Sequence, residues 1–162
     1  MHALETQAAM TPPAGIPLSE KEVLSWAQSI LEARFRRSSY LTSPQHVKDY
    51  LMAALATEER EVFGIILLDS QHGVLGFEIL FHGTIDTASV YPREVIKSVL
   101  NANAAAVILT HNHPSGRPEP STADVALTKR LQTALETIEV HLLDHLVIGG
   151  ADSVSFAERG LL

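Results

Sequence analysis

The chain has 162 residues, 46% of them apolar and 19% charged, a globular balance that excludes a disordered, solvating protein. Twelve Lys and Arg against nineteen Asp and Glu leave a formal charge of −7, which weighs against broad nucleic-acid binding. With no cysteine, disulfides, thiolate nucleophiles and cysteine zinc sites are excluded, so any metal site must draw on Asp, Glu and the eight histidines.

Residues 1–18 combine small residues with Pro12-Pro13 and carry neither a basic stretch nor an apolar run of signal-peptide length; they read as a flexible tail. No apolar run approaches the roughly 18–20 residues of a membrane span, so no membrane partner is expected and the expected compartment is the cytoplasm. A helical segment follows over 19–56. Val23, Leu24, Ala27, Ile30, Leu31 and Phe35 recur at helical spacing, with Trp26 expected in the core, and the helix closes on Arg34, Arg36 and Arg37. Ser43-Pro44 then reads as an N-cap with Pro at the first helical position of a second helix, running to about Ala56.

From residue 57 a single α/β domain is expected to run to 162. Val62–Leu68 is a continuous apolar run, as in a strand buried on both faces. Ser70-Gln71-His72-Gly73 is turn chemistry, and Val74–Phe81 is the returning strand of a hairpin. Tyr91-Pro92 opens a helix striped by Val95, Ile96, Val99 and Leu100, and Ala104–Leu109 is the next buried strand. A helix from about Ser121 to Ile138, a strand over Val140–Ile148 and a short strand at Ser153–Phe156 complete the order. Such alternation calls for a sheet flanked by helices.

The chemistry concentrates in Thr110–Asp124. If the strand stays extended past Leu109, His111 and His113 point to one side, half of a tetrahedral zinc site. Asp124, in the first turn of the following helix, is the candidate third ligand, because the helix dipole favours its ionised form there. The loop between holds three prolines and a glycine, which restrict it enough to fold Asp124 back. The same residues also have a structural explanation: Ser121-Thr122-Ala123-Asp124 is a capping-box pattern that needs no metal. A catalytic site further needs a proton acceptor, for which Glu61 at the start of a buried strand is attractive, with Glu58 and Glu59 as alternatives. The Ser121 hydroxyl is placed either to cap the helix or to donate to an oxyanion.

Glu61, His111-x-His113, seven intervening residues, Ser121, two more and Asp124 resemble the JAMM (MPN-plus) metalloprotease signature. The string HNHPSGRPEPSTAD, with FHGTIDTASVYPREV before it and LLDHLVIG after it, resembles the RadC family of bacterial JAB-domain proteins from about residue 22 to SFAERGLL. The resemblance implies an α/β, cytidine-deaminase-like sandwich of JAB/MPN type, with a mixed sheet flanked by helices. It also implies one zinc ion per chain on His111, His113 and Asp124, with Glu61 activating water and Ser121 steadying the tetrahedral intermediate. The longest RadC chains carry an N-terminal helix-hairpin-helix region; the residues before Glu61 lack its Gly-rich hairpins, so this chain resembles a short form.

The expected function is zinc-dependent hydrolysis of a peptide or isopeptide bond in a peptide or protein substrate. The rival reading is a non-catalytic or DNA-repair-associated accessory protein, with DNA the less favoured partner. In a strand, Asp144 and His145 face opposite sides; the pair is shared with the family and is assigned a structural role. His46, His72, His82 and His141 lack ligand spacing, Ser115 is a candidate for orienting a ligand histidine, and Arg117 and Glu119 are candidates for touching substrate. The strand at Val74–Phe81 offers an edge for adding an extended peptide.

Overall fold

A computed structural model describes residues 19–37, 44–55, 58–83 and 90–162, the side chains of 32–37 excepted. The tail at 1–18, the Ser43 cap, the helix end at Ala56 and the side chains of the Arg34–Arg37 cluster lie outside the described residues. The elements run α1 (Glu20–Arg37), α2 (Pro44–Leu55), β1 (Val62–Leu68), β2 (Val74–His82), α3 (Pro92–Asn101), β3 (Ala106–Asn112), α4 (Thr122–Glu136), β4 (His141–Gly149) and β5 (Asp152–Ser155). Among the described residues no helix is long and apolar enough to cross a membrane.

The five strands form one mixed sheet in the order β2-β1-β3-β4-β5, parallel only between β3 and β4. The fold is thus the α/β arrangement expected. β1 and β3 are buried at every residue, as their continuous apolar runs require. Their side chains alternate between two cores. Val62, Ile66, Leu68, Ala106 and Ile108 pack with Val47, Tyr50, Leu51, Ala54 and Leu55 of α2. Phe63, Ile65, Leu67, Val107 and Leu109 pack on the other face with Val95 and Val99 of α3 and Leu131 and Leu135 of α4.

Two local departures have physical causes. β3 starts at Ala106 rather than Ala104, because the exit from α3 uses Asn103 in the left-handed region (φ 50°) and returns the Ala104 N–H to the Val99 carbonyl. Trp26 is not in the core. It lies half-buried on α1, whose described side chains include none that is fully buried, and Val23 of the same stripe is 45% exposed. Among the described residues the helix packs mainly on α2 rather than on the sheet.

Candidate metal centre

The site forms where β3 leaves the sheet. The strand continues to Asn112, and the His113 N–H donates to the Ile148 carbonyl at 2.7 Å, keeping the backbone extended beyond its last assigned residue. His111 and His113 therefore share a face, and their Nε2 atoms lie 3.0 Å apart. β1 runs antiparallel to β3 with Phe63 opposite His111, a register whose extension sets Glu61 opposite His113 on that same face.

Asn112, pointing the other way, fixes the stretch before β1. Its buried side chain accepts from the Val62 N–H at 2.8 Å and donates to the Arg60 carbonyl at 3.1 Å and the Glu58 carbonyl at 3.4 Å. Glu59 is exposed in the bend before β1, whereas the charge of Glu61 is close enough to help raise the His113 pKa. Of the three carboxylates, Glu61 is the one the register brings to the histidines.

Asp124 arrives from the first turn of α4. Ser121 and Asp124 form a reciprocal capping box: the Ser121 Oγ accepts from the Asp124 N–H at 3.1 Å, and Asp124 Oδ2 accepts from the Ser121 N–H at 2.7 Å. The Ser121 hydroxyl also donates to Asp124 Oδ2 at 2.7 Å, so it is engaged with the carboxylate as well as with the helix end. The capping explanation and the ligand explanation thus coexist, because the cap aims the carboxylate at the histidines. Asp124 Oδ1 lies 3.5 Å from His111 Nε2 and Oδ2 3.6 Å from His113 Nε2.

Burial pushes the Asp124 carboxyl up, but the adjoining His111 and His113 rings and the hydrogen bond from Ser121 override it and hold the group well below the usual carboxylate range. The His113 pKa is raised, first by its bond to Asp124, against a burial effect that lowers it. One ligand atom from each of His111, His113 and Asp124 lies within 4.8 Å of the others. Ligands about 2.0–2.1 Å from a tetrahedral ion stand roughly 3.3–3.4 Å apart; the two Nε2 atoms are 3.0 Å apart, and each lies 3.5 or 3.6 Å from a different oxygen of Asp124. The residues fit a small divalent cation. Only His113 among them reaches solvent appreciably, with 15% of its side chain exposed against 1% for His111 and 4% for Asp124.

Behind these three side chains lies a second row. His113 Nδ1 donates to the Arg117 carbonyl at 2.8 Å. His111 Nδ1 meets His145 Nε2 at 2.8 Å, and His145 Nδ1 meets the Thr128 Oγ1 at 2.7 Å. Ser115 therefore orients neither histidine; its hydroxyl accepts from the Arg117 N–H at 3.4 Å. His145 is fully buried, stacked on Phe156 and met edge-on by Phe63, and burial pushes its pKa down. Asp144 faces away as expected, accepting from the Ser155 hydroxyl at 2.6 Å and the Ala157 N–H at 3.0 Å, a structural tie to the C-terminal turn. His46, His72, His82 and His141 are exposed, as are Arg117 and Glu119, the latter paired with Arg159.

A family model described as RadC-like JAB domain matches residues 41–161, which include α2 and every strand. A UPF0758 protein of Stutzerimonas stutzeri is 57% identical over 138 residues, 85% of this chain and 62% of the relative. UPF0758 proteins of Azotobacter vinelandii and Idiomarina loihiensis are 54% and 57% identical over 140 residues, in each case 86% of this chain and 62% of the relative. The chain thus spans about three fifths of the length of these curated relatives.

Proposed function

This chain belongs to the RadC-like JAB-domain family, and on that premise we propose that it is a zinc-dependent hydrolase of JAMM type, cleaving a peptide or isopeptide bond in a peptide or protein substrate. The observation that supports this reading most is the convergence of His111, His113 and Asp124 from a strand end and a helix start, with the partly exposed His113 beside Glu61. A zinc ion held by these three residues would supply a Lewis acid and bring the pKa of water towards about 7.

The chain's own groups do the rest. The Glu61 carboxylate accepts the proton of the attacking water and passes it to the leaving amine, for which its register position opposite His113 is suited. The Ser121 hydroxyl turns from Asp124 Oδ2 to donate to the oxyanion that develops at the scissile carbonyl. Asp124 keeps its orientation meanwhile, because the Ser121 N–H still holds the same oxygen. The cytoplasm is the proposed compartment, and DNA is not the proposed partner.

Zinc-loaded protein, assayed on peptide and isopeptide-linked substrates, tests the proposal against Glu61→Gln. The expected result is full metal content in the variant with hydrolysis lowered about 10²–10⁴-fold, the usual worth of a general base. Equal turnover in both proteins would remove Glu61 from the mechanism. Absence of hydrolysis, together with salt-sensitive DNA binding that survives replacement of His113 and Asp124, would favour the accessory reading instead.

A further inference from the structure

We propose that Thr128 and His145 are positioning residues that lock His111 as its Nδ1–H tautomer, leaving the Nε2 lone pair aimed at the centre where Asp124 and His113 converge. The inference rests on the reading of His111 as a metal ligand, and it follows from which atoms own hydrogens. The Thr128 hydroxyl lies 2.6 Å from the Asp124 carbonyl oxygen, which has no hydrogen, so the hydroxyl donates there. Its one proton is then committed. His145 Nδ1, 2.7 Å from the same hydroxyl, must therefore be the donor in that contact. His145 is fully buried between Phe63 and Phe156, and among the described residues its ring nitrogens touch a hydroxyl and another imidazole. No described carboxylate touches either nitrogen, and a charge buried without such a contact is costly, so the ring is neutral and Nε2 carries a lone pair. That lone pair, 2.8 Å from His111 Nδ1, requires a hydrogen on His111 Nδ1.

The relay runs from the Asp124 carbonyl through Thr128 and His145 to His111, and it ends on the atom a metal needs bare. Its geometry comes from one helix turn and one pair of strands. Thr128 stands four residues after Asp124 on the buried face of α4. His145 sits in β4, whose parallel register with β3 pairs it with Leu109, two residues before His111. Both elements are shared with the core, so the same helix that presents the carboxylate also sets the protonation of the first histidine. His113 receives the equivalent treatment from a backbone carbonyl, that of Arg117.

The test is tautomer assignment by long-range ¹H–¹⁵N correlation spectra of metal-free, ¹⁵N-histidine-labelled full chain, combined with zinc titration against a chelating competitor. His111 and His145 are both expected as Nδ1–H forms in the unaltered protein. Thr128→Val keeps the shape but removes the hydroxyl; it should lose the single tautomer at His111 and weaken zinc binding by about 10–100-fold. Thr128→Ser should restore both, which a merely space-filling role for Thr128 would not produce.

An Nε2–H form of His111 in the unaltered protein overturns the relay without recourse to any variant. So does a Thr128→Val protein with unchanged tautomer and unchanged zinc affinity. If His111 is Nδ1–H in the unaltered protein and loses that form in Thr128→Val, while neither protein binds zinc, the relay stands and the metal reading fails.

Discussion

The carbonyl that orients His113 depends on a glycine at the end of the neighbouring strand β4, and Gly149→Ala tests that dependence. A Cβ at Gly149 would stand 2.6 Å from the Arg117 carbonyl carbon and 2.7 Å from Pro118 Cδ, well inside the 3.4 Å at which ordinary contact begins. With Pro118 N closer still, the Arg117-Pro118 peptide must retreat by at least about 0.8 Å, since the opposing atoms belong to the backbone and the proline ring rather than to the end of a flexible side chain. His113 cannot follow, because its N–H is bound to the Ile148 carbonyl at the end of β4. A retreat of that size along the bond opens the 2.8 Å contact of His113 Nδ1 to about 3.6 Å, where it is no longer a hydrogen bond.

The expected cost is about 1–3 kcal/mol in stability from overpacking, read by denaturant melts of metal-free protein. Loss of the orienting bond is expected to weaken zinc affinity by about 10–100-fold, read by chelator competition. Gly76→Ala is the control, since a Cβ there meets nothing within 4 Å, and it should stay within about 0.5 kcal/mol. A Gly149→Ala protein with the stability and zinc affinity of the unaltered chain would refute both the packing argument and the role given to the Arg117 carbonyl.

Other substitutions bear on the rest of the account. Ser121→Ala removes the α4 cap and should cost about 0.5–2 kcal/mol in a denaturant melt, with Asp124 less firmly aimed and hydrolysis reduced. Leu109→Ala, beneath the centre and fully buried, should cost about 2–5 kcal/mol by the same measurement; a loss under 1 kcal/mol would mean the core under the site is not as packed. In metal-free protein the lowered Asp124 pKa contributes stability present above its unfolded value of about 3.9 and lost as pH falls through the folded one. The raised His113 pKa contributes stability present below about 6.5 and lost as pH rises through the folded value. Melting temperature against pH should thus decline on both sides without zinc, whereas zinc affinity should climb with pH as the His113 proton is displaced.

Much of the candidate site was legible because strand and helix periodicities are local rules. Alternation put His111 and His113 on one face, and the capping-box spacing put Asp124 in the first turn of α4; both follow from a few consecutive residues. The apolar runs of β1 and β3 likewise announced strands buried on both faces. What the sequence left hidden depends on pairing between distant segments. Alternation tells that Asp144 and His145 face opposite ways, but only the β3–β4 register, with its shift between Val107 and Ile108, sets His145 behind His111. Thr128 reads simply as one more position on a buried helix face until that imidazole is beside it. The Arg117 carbonyl carries no side-chain signal at all, and Ser115 was the obvious polar neighbour only because backbone acceptors are invisible to residue type. Trp26 was misplaced for a related reason: an apolar stripe shows that a helix has a partner, not that the partner is the sheet.

The most direct test of the central claim is metal content per chain, by elemental analysis after zinc loading and exhaustive desalting, in the unaltered protein, His111→Ala and Asp124→Asn. One zinc per chain in the unaltered protein and near none in either variant is the expected result, with folding of each variant checked by circular dichroism. Retention of stoichiometric zinc by folded His111→Ala and Asp124→Asn proteins would contradict the assignment of the centre.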